Sequence, residues 1–318
     1  MVLYTSPNPK NWNGRKSEEQ LYLHEKVELV PITEIANLKT VQYALLGYAC
    51  DEGVRRNQGR TGAINGPDAI KQMLGKMPNH LPKDYKFLDV GNVACVETDL
   101  EHTQQQLAKN ITALLDQQIF PIALGGGHDI AYAHYKGIKG YLKDKKPKAK
   151  LGIINFDAHF DLRDPENGPT SGTPFFQIAK EEKEFNYLCI GIRKDANDKQ
   201  LFETARELDV VYIERQVMRL NYLEELKTWL KAFIEKVDCI YLTIDLDGFS
   251  SAFAPGVSAA SPMGFEPQLV LELLTSILDS GKLLSMDIAE LNPDYDIDNQ
   301  TAKLAASLVH FVIHEQPV

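Results

Sequence analysis

Long apolar runs and closely spaced cysteines are both missing from this sequence. No uninterrupted apolar run approaches the roughly 20 residues that a membrane-spanning helix needs. The chain has 4 cysteines and no C-x-x-C pair, and the four positions are far apart: Cys50, Cys95, Cys189 and Cys239. Each lies in or beside an apolar run, which indicates a buried, reduced thiol. These absences argue against a helical membrane protein and against a redox or metal site built on cysteine pairs.

Positive charge is also in deficit. The chain carries 34 Lys and Arg residues against 44 Asp and Glu residues, a net charge of -10. This balance argues against nucleic acid or an anionic membrane as a partner, although it does not exclude an anionic small substrate, because local charge decides that case. The first residues, MVLYTSPNPKNW, lack a basic segment followed by an apolar one, so no secretory signal is visible. We therefore expect a cytoplasmic enzyme or binding protein.

Apolar patterning divides the chain into a short first part and a long second part. Residues 1–40 are polar and irregular, and we interpret them as an N-terminal extension that lies on the main body. Residues 41–318 alternate apolar runs with amphipathic segments and are predicted to form a single catalytic domain. Strands are predicted at 43–49, 86–91, 119–126, 150–157, 187–193, 209–213, 239–247 and 283–291. Helices are predicted at 99–118, 222–237, 267–282 and 301–315.

The alternation of strands and helices predicts a three-layer α/β/α fold with a doubly wound, mainly parallel central sheet. Several strand segments are near-continuous β-rich apolar runs, which is typical of strands covered on both faces. In open sheets of this kind, ligands bind at the carboxyl ends of the strands. Aspartates and a histidine follow three of the predicted strands, so one rim of the sheet is predicted to carry the functional site.

The segment DAHFD, residues 157–161, follows the apolar run LGIINF. Along an extended chain, Asp157, His159 and Asp161 would project to one side and converge on one point. Burying two carboxylates this close together is unfavourable unless a cation compensates them. A loop with a helix-capping aspartate and a solvated histidine is the alternative interpretation of this segment taken alone.

Two further segments place similar groups at strand ends. Asp245 and Asp247 alternate in TIDLDGF, residues 243–249, and by themselves they also fit two hydrogen-bonded turn carboxylates. The segment ALGGGHDI, residues 123–130, brings His128 to the head of a predicted helix after a sharp glycine turn. A glycine turn at a helix start can also cradle a phosphate. This one lacks both the lysine of a phosphate loop and the spacing of a dinucleotide fingerprint, so the phosphate signal is weak.

Together the three segments supply six possible metal ligands: His128, Asp157, His159, Asp161, Asp245 and Asp247. Four carboxylates and two imidazoles exceed what one ion needs, and they suit two ions that share carboxylates. An oxygen-rich set with some nitrogen and no thiolate favours Mn²⁺ over structural Zn²⁺. Two closely spaced ions are typical of hydrolysis by a bridging hydroxide.

The segments GGGHD, DAHFD and DLD, in this order, resemble the arginase or ureohydrolase family. The resemblance covers most of residues 40–318 and includes GAINGPDAI, residues 62–70, and DIAEL, residues 287–291. It implies hydrolysis of a C–N bond in a guanidino or formimidoyl compound by a binuclear manganese centre with two Mn²⁺ per subunit. It also implies a homo-oligomer.

Finer details are similar to the family member that hydrolyses N-formimidoyl-L-glutamate to L-glutamate and formamide in histidine degradation. These details are the segments GVRRNQGRTGA, DAHFDLR, SGTPF and APGVSA. Arginases and agmatinases usually have a third aspartate where this chain has Ser250, and the segment PTSGTPFFQI lacks the proton-transfer histidine of arginase. The alternatives are a guanidino-compound amidinohydrolase that releases urea, a single-zinc deacetylase of similar fold, and an inactive metal-binding scaffold.

The resemblance also implies roles for individual residues. The two ligand sets that it implies are His128, Asp157, Asp161 and Asp245 for one Mn²⁺, and Asp157, His159, Asp245 and Asp247 for the other. Asp157 and Asp245 would bridge the ions, and the metal-bound hydroxide would attack the formimidoyl carbon. Asp161 is our candidate for passing a proton to the leaving amine, because it would lie beside that hydroxide. Glu290 matches the family position that pairs with the cationic head of the substrate.

A small acidic amidine substrate also needs cations that bind its carboxylates. Planar guanidinium groups bind carboxylates through two hydrogen bonds. Five arginines follow predicted strand ends or lie in the loops beside them: Arg55, Arg56, Arg60, Arg163 and Arg193. Each one alone also fits a solvated surface arginine, but as a group they fit a glutamate-derived substrate better than arginine or agmatine. We expect Arg60, Arg163 and Arg193 to contact the substrate.

Overall fold

Ten strands form the central sheet of the computed structural model, which describes residues 3–38 and 41–316. Their bounds are β1 (Tyr4–Thr5), β2 (Glu28–Leu29), β3 (Tyr43–Ala49), β4 (Phe87–Ala94), β5 (Phe120–Leu124), β6 (Leu151–Phe156), β7 (Asn186–Ile192), β8 (Val211–Glu214), β9 (Cys239–Asp245) and β10 (Leu283–Ala289). The strand order is β1-β4-β3-β5-β10-β9-β6-β7-β8, and β2 also pairs with β4. All the pairs are parallel except β1 with β4.

Helices cover both faces of this sheet. Their bounds are α1 (Leu23–Lys26), α2 (Glu52–Arg56), α3 (Gly66–Leu74), α4 (Leu100–Asp116), α5 (Ile130–Lys145), α6 (Pro174–Glu181), α7 (Lys199–Glu207), α8 (Leu223–Ile234), α9 (Pro267–Asp279) and α10 (Gln300–Glu315). The apolar sides of α3, α8, α9 and α10 contribute to one core. Those of α4, α5, α6 and α7 contribute to a second core. The predicted three-layer α/β/α fold with a mainly parallel sheet is therefore confirmed.

Local sequence signals explain where several of these elements begin and end. The side chain of Asp99 accepts a hydrogen bond from the backbone of His102 and so caps the start of α4. Helix α9 starts at Pro267, and Gly281 just beyond its end has a φ of 64°, which suits glycine. Every residue of β6 and β9 is buried, as continuous apolar runs predict for strands covered on both faces.

The N-terminal segment lies against the main body. Strand β1 pairs antiparallel with β4, and β2 pairs with β4 in parallel. The indole Nε1 of buried Trp12 donates to Asp89 Oδ2 at 2.9 Å, and the other carboxylate oxygen of Asp89 accepts from Lys71 Nζ at 2.6 Å. The boundary that we expected at residue 40 falls on residues 39 and 40, which lie outside the described part of the chain.

Histidines pack the C-terminal helix against the segment that follows α3. His314 Nε2 accepts from the backbone N–H of His80 at 3.0 Å, and His314 Nδ1 donates to the carbonyl of His310 at 2.7 Å. Both ring nitrogens of His314 are thus committed to a neutral imidazole. Burial lowers the pKa of His314 from 6.5 to about 4.

Acid is expected to weaken the fold through His314. The unfolded chain takes up a proton at this residue near pH 6.5, whereas the folded chain resists it down to about pH 4, so this contribution to stability is lost between those values. Because the ring is partly exposed, we expect a loss of about 1 kcal/mol. Melting temperatures of wild type and His314→Gln, measured without metal from pH 7.5 to 4.5, should show the steeper fall in wild type. Parallel curves would contradict this expectation.

The topology brings four central strands side by side although they are far apart in sequence. Strand β10 lies between β5 and β9, and β9 lies between β10 and β6. All are parallel, so their carboxyl ends meet at one rim of the sheet. Among the described residues, no helix is both long and apolar enough to cross a membrane.

Candidate metal centre

Each of the four central strands delivers an acidic or histidine side chain to that rim. Strand β9 ends at Asp245, and Asp157 comes directly after β6. Glu290 comes directly after β10, and His128 follows β5 through a turn of three glycines. The site is therefore built by strand ends that only the tertiary fold makes neighbours.

The glycine turn allows close approach of two backbone segments. A Cβ atom at Gly126 would lie 1.7 Å from the carbonyl oxygen of Cys50, so no other residue fits there without a shift of the backbone. The backbone N–H of Gly126 donates to the carbonyl of Tyr48, and that of Gly127 donates to the carbonyl of Cys50. This turn fixes His128 just before α5, with its backbone N–H donating to Glu290 Oε1 at 2.9 Å.

Three carboxylates surround one nitrogen of His128. Its Nδ1 lies 3.2 Å from Asp157 Oδ2, 2.8 Å from Asp161 Oδ2 and 3.1 Å from Asp245 Oδ2. Ligand atoms about 2.1 Å from an octahedral ion are separated by about 3 Å from their neighbours. The spacing of these four atoms therefore fits a divalent cation at their centre, and the structure brings together the first predicted ligand set.

The tautomer of His128 supports this fit. The hydroxyl of Thr243 donates to Asp287 Oδ1 at 2.5 Å, so its oxygen is left to accept from His128 Nε2 at 3.0 Å. A proton on Nε2 leaves the lone pair of Nδ1 facing the carboxylates. This Nδ1 is buried without a hydrogen-bond partner among the described residues. Lone pairs that face one another in a buried site call for a cation.

A second group lies beside the first and shares Asp157 with it. His159 Nδ1 lies 3.5 Å from Asp157 Oδ1 and 3.3 Å from Asp247 Oδ1, and these three residues form a possible second metal site. The oxygen Asp247 Oδ1 is buried without a hydrogen-bond partner among the described residues. Asp245 belongs to the first group, and its Oδ1 accepts from the backbone N–H of Asp247 at 2.7 Å.

The pKa values of these groups are shifted by burial and by negative charge that the protein does not fully compensate. Burial, together with the charges of Asp247 and Asp157, raises the pKa of Asp245 well above its usual value. Burial alone would lower the pKa of His128, but the carboxylates around its Nδ1 raise it well above 6.5, so without an ion this nitrogen would take up a proton in place of the cation. Burial and the charge of Asp247 raise the pKa of Glu290 to about 8. The cluster thus holds more negative charge than its own protein partners balance.

Two of the predicted functional residues have a left-handed backbone conformation, which is strained at Glu290. Asp161 has a φ of 50° and Glu290 has a φ of 69°, in the left-handed region that L-residues other than Asn and Asp seldom adopt. Such strain is maintained only where surrounding contacts impose it, and it is typical of active sites. The conformation of the chain just after β10 is maintained by the hydrogen bond from the backbone N–H of Glu290 to the carbonyl of Gly126.

A cavity of about 360 Å³ opens over the cluster. His128, Asp161 and Glu290 line it, and so do Arg163 and Asn57. A volume of this size suits a small-molecule substrate. The structure thus places an acidic site and a guanidinium in the same cavity.

The predicted arginines have different environments. Arg163 is exposed and donates to Asn57 Oδ1 at 2.8 Å. Arg60 lines the same cavity, but its guanidinium donates to the carbonyls of Val257 and Ser258 and stacks on the Tyr295 ring. It therefore ties together loops at the mouth of the cavity.

The other three arginines lie apart from the cluster or are paired. Arg193 pairs with Asp195 at 2.6 Å and lines a separate cavity of about 980 Å³, so the structure does not bring it to the metal cluster. Arg55 and Arg56 both form ion pairs with Glu52. Predicted strand ends located these residues on the rim, but they could not show which side chains were already paired.

Sequence reasoning missed several polar residues that hold the ligands. Thr243 fixes the tautomer of His128, and Asn197 accepts from the backbone of Phe160 at 3.0 Å and donates to the carbonyl of Ala158 at 2.8 Å. Asn155 donates to Asp157 Oδ2 at 3.0 Å. The available signal was a single polar residue inside an otherwise apolar strand, as in IINF and YLTI.

The geometry of the site agrees with comparisons of the whole chain. The model of the Arginase family matches residues 41–314. The chain belongs to the arginase family. It is therefore a hydrolase of this family, as its motifs predicted.

Individual relatives refine the comparison. A formimidoylglutamase of Geobacillus sp. (strain WCH70) is 40% identical over 318 residues, which span 97% of this chain and 97% of that protein. The crystal structure of formimidoylglutamase from Bacillus subtilis subsp. subtilis str. 168 has a TM-score of 0.83 at 23% identity and covers 96% of this chain and 95% of its own. A Trypanosoma cruzi formiminoglutamase with Mn²⁺₂ has a TM-score of 0.76 at 22% identity, over 90% of this chain and 99% of its own. These structures establish the arginase-like fold.

Proposed function

We propose that the chain is a manganese-dependent formimidoylglutamase that hydrolyses N-formimidoyl-L-glutamate to L-glutamate and formamide. The observation that carries the proposal is a carboxylate cluster in one small cavity with the guanidinium of Arg163, which forms no ion pair among the described residues. The substrate has the matching polarity, because a cationic formimidoyl group lies at one end and two carboxylates lie at the other. The name shared by the relatives at about 40% identity supports the same substrate.

Two Mn²⁺ ions would be held by the two overlapping ligand groups. His128, Asp157, Asp161 and Asp245 would hold one ion. Asp157, His159 and Asp247 would hold the other, together with Asp245 if it bridges as the family resemblance implies. Oxygen and imidazole donors without thiolate suit Mn²⁺. When bound, such a pair of ions supplies an activated water at neutral pH and polarises the bond to be cleaved.

Two side chains would orient the substrate. The buried carboxylate of Glu290 lies on the cavity wall and would pair with the cationic formimidoyl group. The guanidinium of Arg163 would bind a substrate carboxylate through two hydrogen bonds, with Asn57 holding it in place. This arrangement would set the formimidoyl carbon beside the carboxylate cluster.

Asp161 would carry the proton to the leaving amine. It lines the cavity, and its Oδ2 lies 2.8 Å from His128 Nδ1 within the first ligand group, so it would lie beside the activated water. A carboxylate in that position can take a proton from the water and pass it to the leaving amine. Phe175 occupies the region after Ser171 and Gly172, and it packs edge-on against the imidazole of His128 with ring centroids 5.5 Å apart. No imidazole of that segment is available, so the proton route falls to Asp161.

Removal of the guanidinium of Arg163 should weaken substrate binding. Hydrogen bonds to charged groups contribute about 1.5–3 kcal/mol, so Arg163→Ala is expected to raise KM by about 10- to 150-fold. Steady-state kinetics with N-formimidoyl-L-glutamate would measure the change. Arg193→Ala is the matched control and should leave KM within about twofold of wild type, because Arg193 lines the other cavity. A KM for Arg163→Ala within about twofold of wild type would refute the role of Arg163.

Product analysis tests the proposed function itself. Mn²⁺-loaded protein would receive N-formimidoyl-L-glutamate, L-arginine and agmatine in parallel, and glutamate, formamide and urea would be quantified. Glutamate with formamide from the first substrate alone is the expected result. Urea from either of the others would instead indicate a guanidino-compound amidinohydrolase. Full metal binding without any turnover would indicate a scaffold.

The cytoplasmic location and the homo-oligomer stay predictions.

A further inference from the structure

Asn155 is a polar residue inside a strand that is otherwise apolar. All six residues of β6 are buried, and Asn155 itself is fully inaccessible to solvent. Burial of a carboxamide is unfavourable unless its donors and acceptor are satisfied. Its Oδ1 has no hydrogen-bond partner among the described residues, so the residue is retained at a cost to stability. The contacts of its Nδ2 indicate what role the residue has.

Those contacts lead to the shared metal ligand. Asn155 Nδ2 donates to Asp157 Oδ2 at 3.0 Å and to the hydroxyl of Tyr187 at 3.0 Å. The hydroxyl of Tyr187 in turn donates to the carbonyl of Phe160 at 3.2 Å. A flipped carboxamide would place Oδ1 against the carboxylate, where two acceptors repel, so the amide group must face Asp157. Asn155 thus contacts Asp157 directly and is linked to Phe160, at the other end of the segment 157–160, through the Tyr187 hydroxyl.

A cysteine on the neighbouring strand adds a third tether. Cys189 on β7 is the register partner of Asn155, and its Sγ donates to the carbonyl of His159 at 3.4 Å. The ring of Tyr187 is held by stacking on Phe175, with centroids 4.3 Å apart. The loop that carries Asp157, His159 and Asp161 is therefore held in place by hydrogen bonds from buried side chains of β6 and β7.

We propose that Asn155 is a positioning residue that sets the orientation of the Asp157 carboxylate between the two metal sites. Asp157 Oδ2 faces the first group, 3.2 Å from His128 Nδ1, whereas Asp157 Oδ1 faces the second, 3.5 Å from His159 Nδ1. The N–H group of Asn155 binds Oδ2 and thereby fixes the rotation that gives one oxygen to each site. This inference rests on the proposed metal centre and deepens it.

Manganese affinity tests the inference directly. Asn155→Leu keeps the size of the side chain and removes its donors, and it is expected to weaken Mn²⁺ binding by about 10- to 100-fold, the usual effect of losing an outer contact to a metal ligand. Free Mn²⁺ would be measured by electron paramagnetic resonance during titration of metal-free protein. Because the defect is in affinity, activity should need more Mn²⁺ to reach half its maximum.

Asn110→Leu is the matched control. Asn110 is also buried, lies on α4, and also has one carboxamide atom without a partner among the described residues. Its Oδ1 accepts from Gln106, away from the metal cluster. This variant should change the melting temperature of metal-free protein without changing Mn²⁺ affinity. A structural role for Asn155 would give the same result in Asn155→Leu and would overturn the inference.

Tyr187→Phe keeps the test decisive if Asn155→Leu does not fold. It removes only the hydroxyl and retains the stacked ring, so we expect a weakening of Mn²⁺ binding by about 3- to 10-fold. Wild-type affinity in both variants, or in Tyr187→Phe when it alone folds, would overturn the positioning role and leave the proposed enzyme intact. Wild-type protein that binds no Mn²⁺ would overturn the proposed centre and the positioning role together.

Discussion

Replacement of Asp157 by asparagine is expected to lower kcat/KM for N-formimidoyl-L-glutamate by about 1000-fold or more. Asp157 offers one carboxylate oxygen to each of the two groups, so a neutral amide weakens both metal sites at once. The amide nitrogen would also face a cation or the donor of Asn155, which are both positive partners. Metal content by elemental analysis and glutamate production would be measured on the same samples.

Asp198→Asn is a matched control for this variant. Asp198 caps the start of α7 through the backbone of Gln200 and Leu201, and asparagine caps helices about as well. This control should retain wild-type metal content and turnover. Wild-type metal content and turnover in Asp157→Asn as well would remove Asp157 from the proposed centre.

Replacement of Glu290 by glutamine is expected to lower kcat/KM by about 1000-fold while leaving metal content unchanged. An ion pair at 4 Å contributes about 4 kcal/mol at an effective dielectric of 20, and that energy corresponds to a factor of about 1000. Glutamine retains an oxygen that can accept from the backbone N–H of His128, so the turn after β10 should keep its shape. Bound metal ions and the cationic substrate would favour the ionised form of Glu290, whose pKa burial raises, so the variant removes that charge and retains an acceptor.

The two measurements separate the roles of Glu290 and Asp157. Steady-state kinetics and elemental analysis of Glu290→Gln should show full metal with lost activity, whereas Asp157→Asn should lose both. A reduction of less than tenfold in Glu290→Gln would show that Glu290 does not pair with the substrate. Loss of metal in parallel with activity would instead assign it a structural role beside His128.

The strands were predictable because burial on both faces leaves a strong signal. The run 43–49 coincides with β3, and the runs at 150–157 and 239–247 contain β6 and β9 with only the ends differing. The predicted ends differ because polar and apolar residues continue to alternate just after each strand, as they would within a strand. Helices α4, α8, α9 and α10 were likewise marked by apolar periodicity and by caps such as Pro267.

The substrate contacts were less predictable. The sequence does not distinguish Arg193, which pairs with Asp195, from Arg163, which has no carboxylate partner in the described part of the chain. Asn155 was missed because a lone polar residue in a strand carries no periodic signal. Its partners are Asp157 nearby and Tyr187 on another strand, and the latter contact exists only after β6 and β7 pair.

The sequence by itself determined the fold class and predicted the residues that form the candidate metal centre. Apolar runs specify buried strands wherever they occur, and DAHFD, DLD and GGGHD bring ligand types that only a cation makes tolerable together. The tertiary structure decided the strand order β5-β10-β9-β6, which makes distant segments neighbours at one rim. It also decided that Arg163 forms no ion pair within residues 3–38 and 41–316, because pairing depends on distances between segments that sequence does not encode locally.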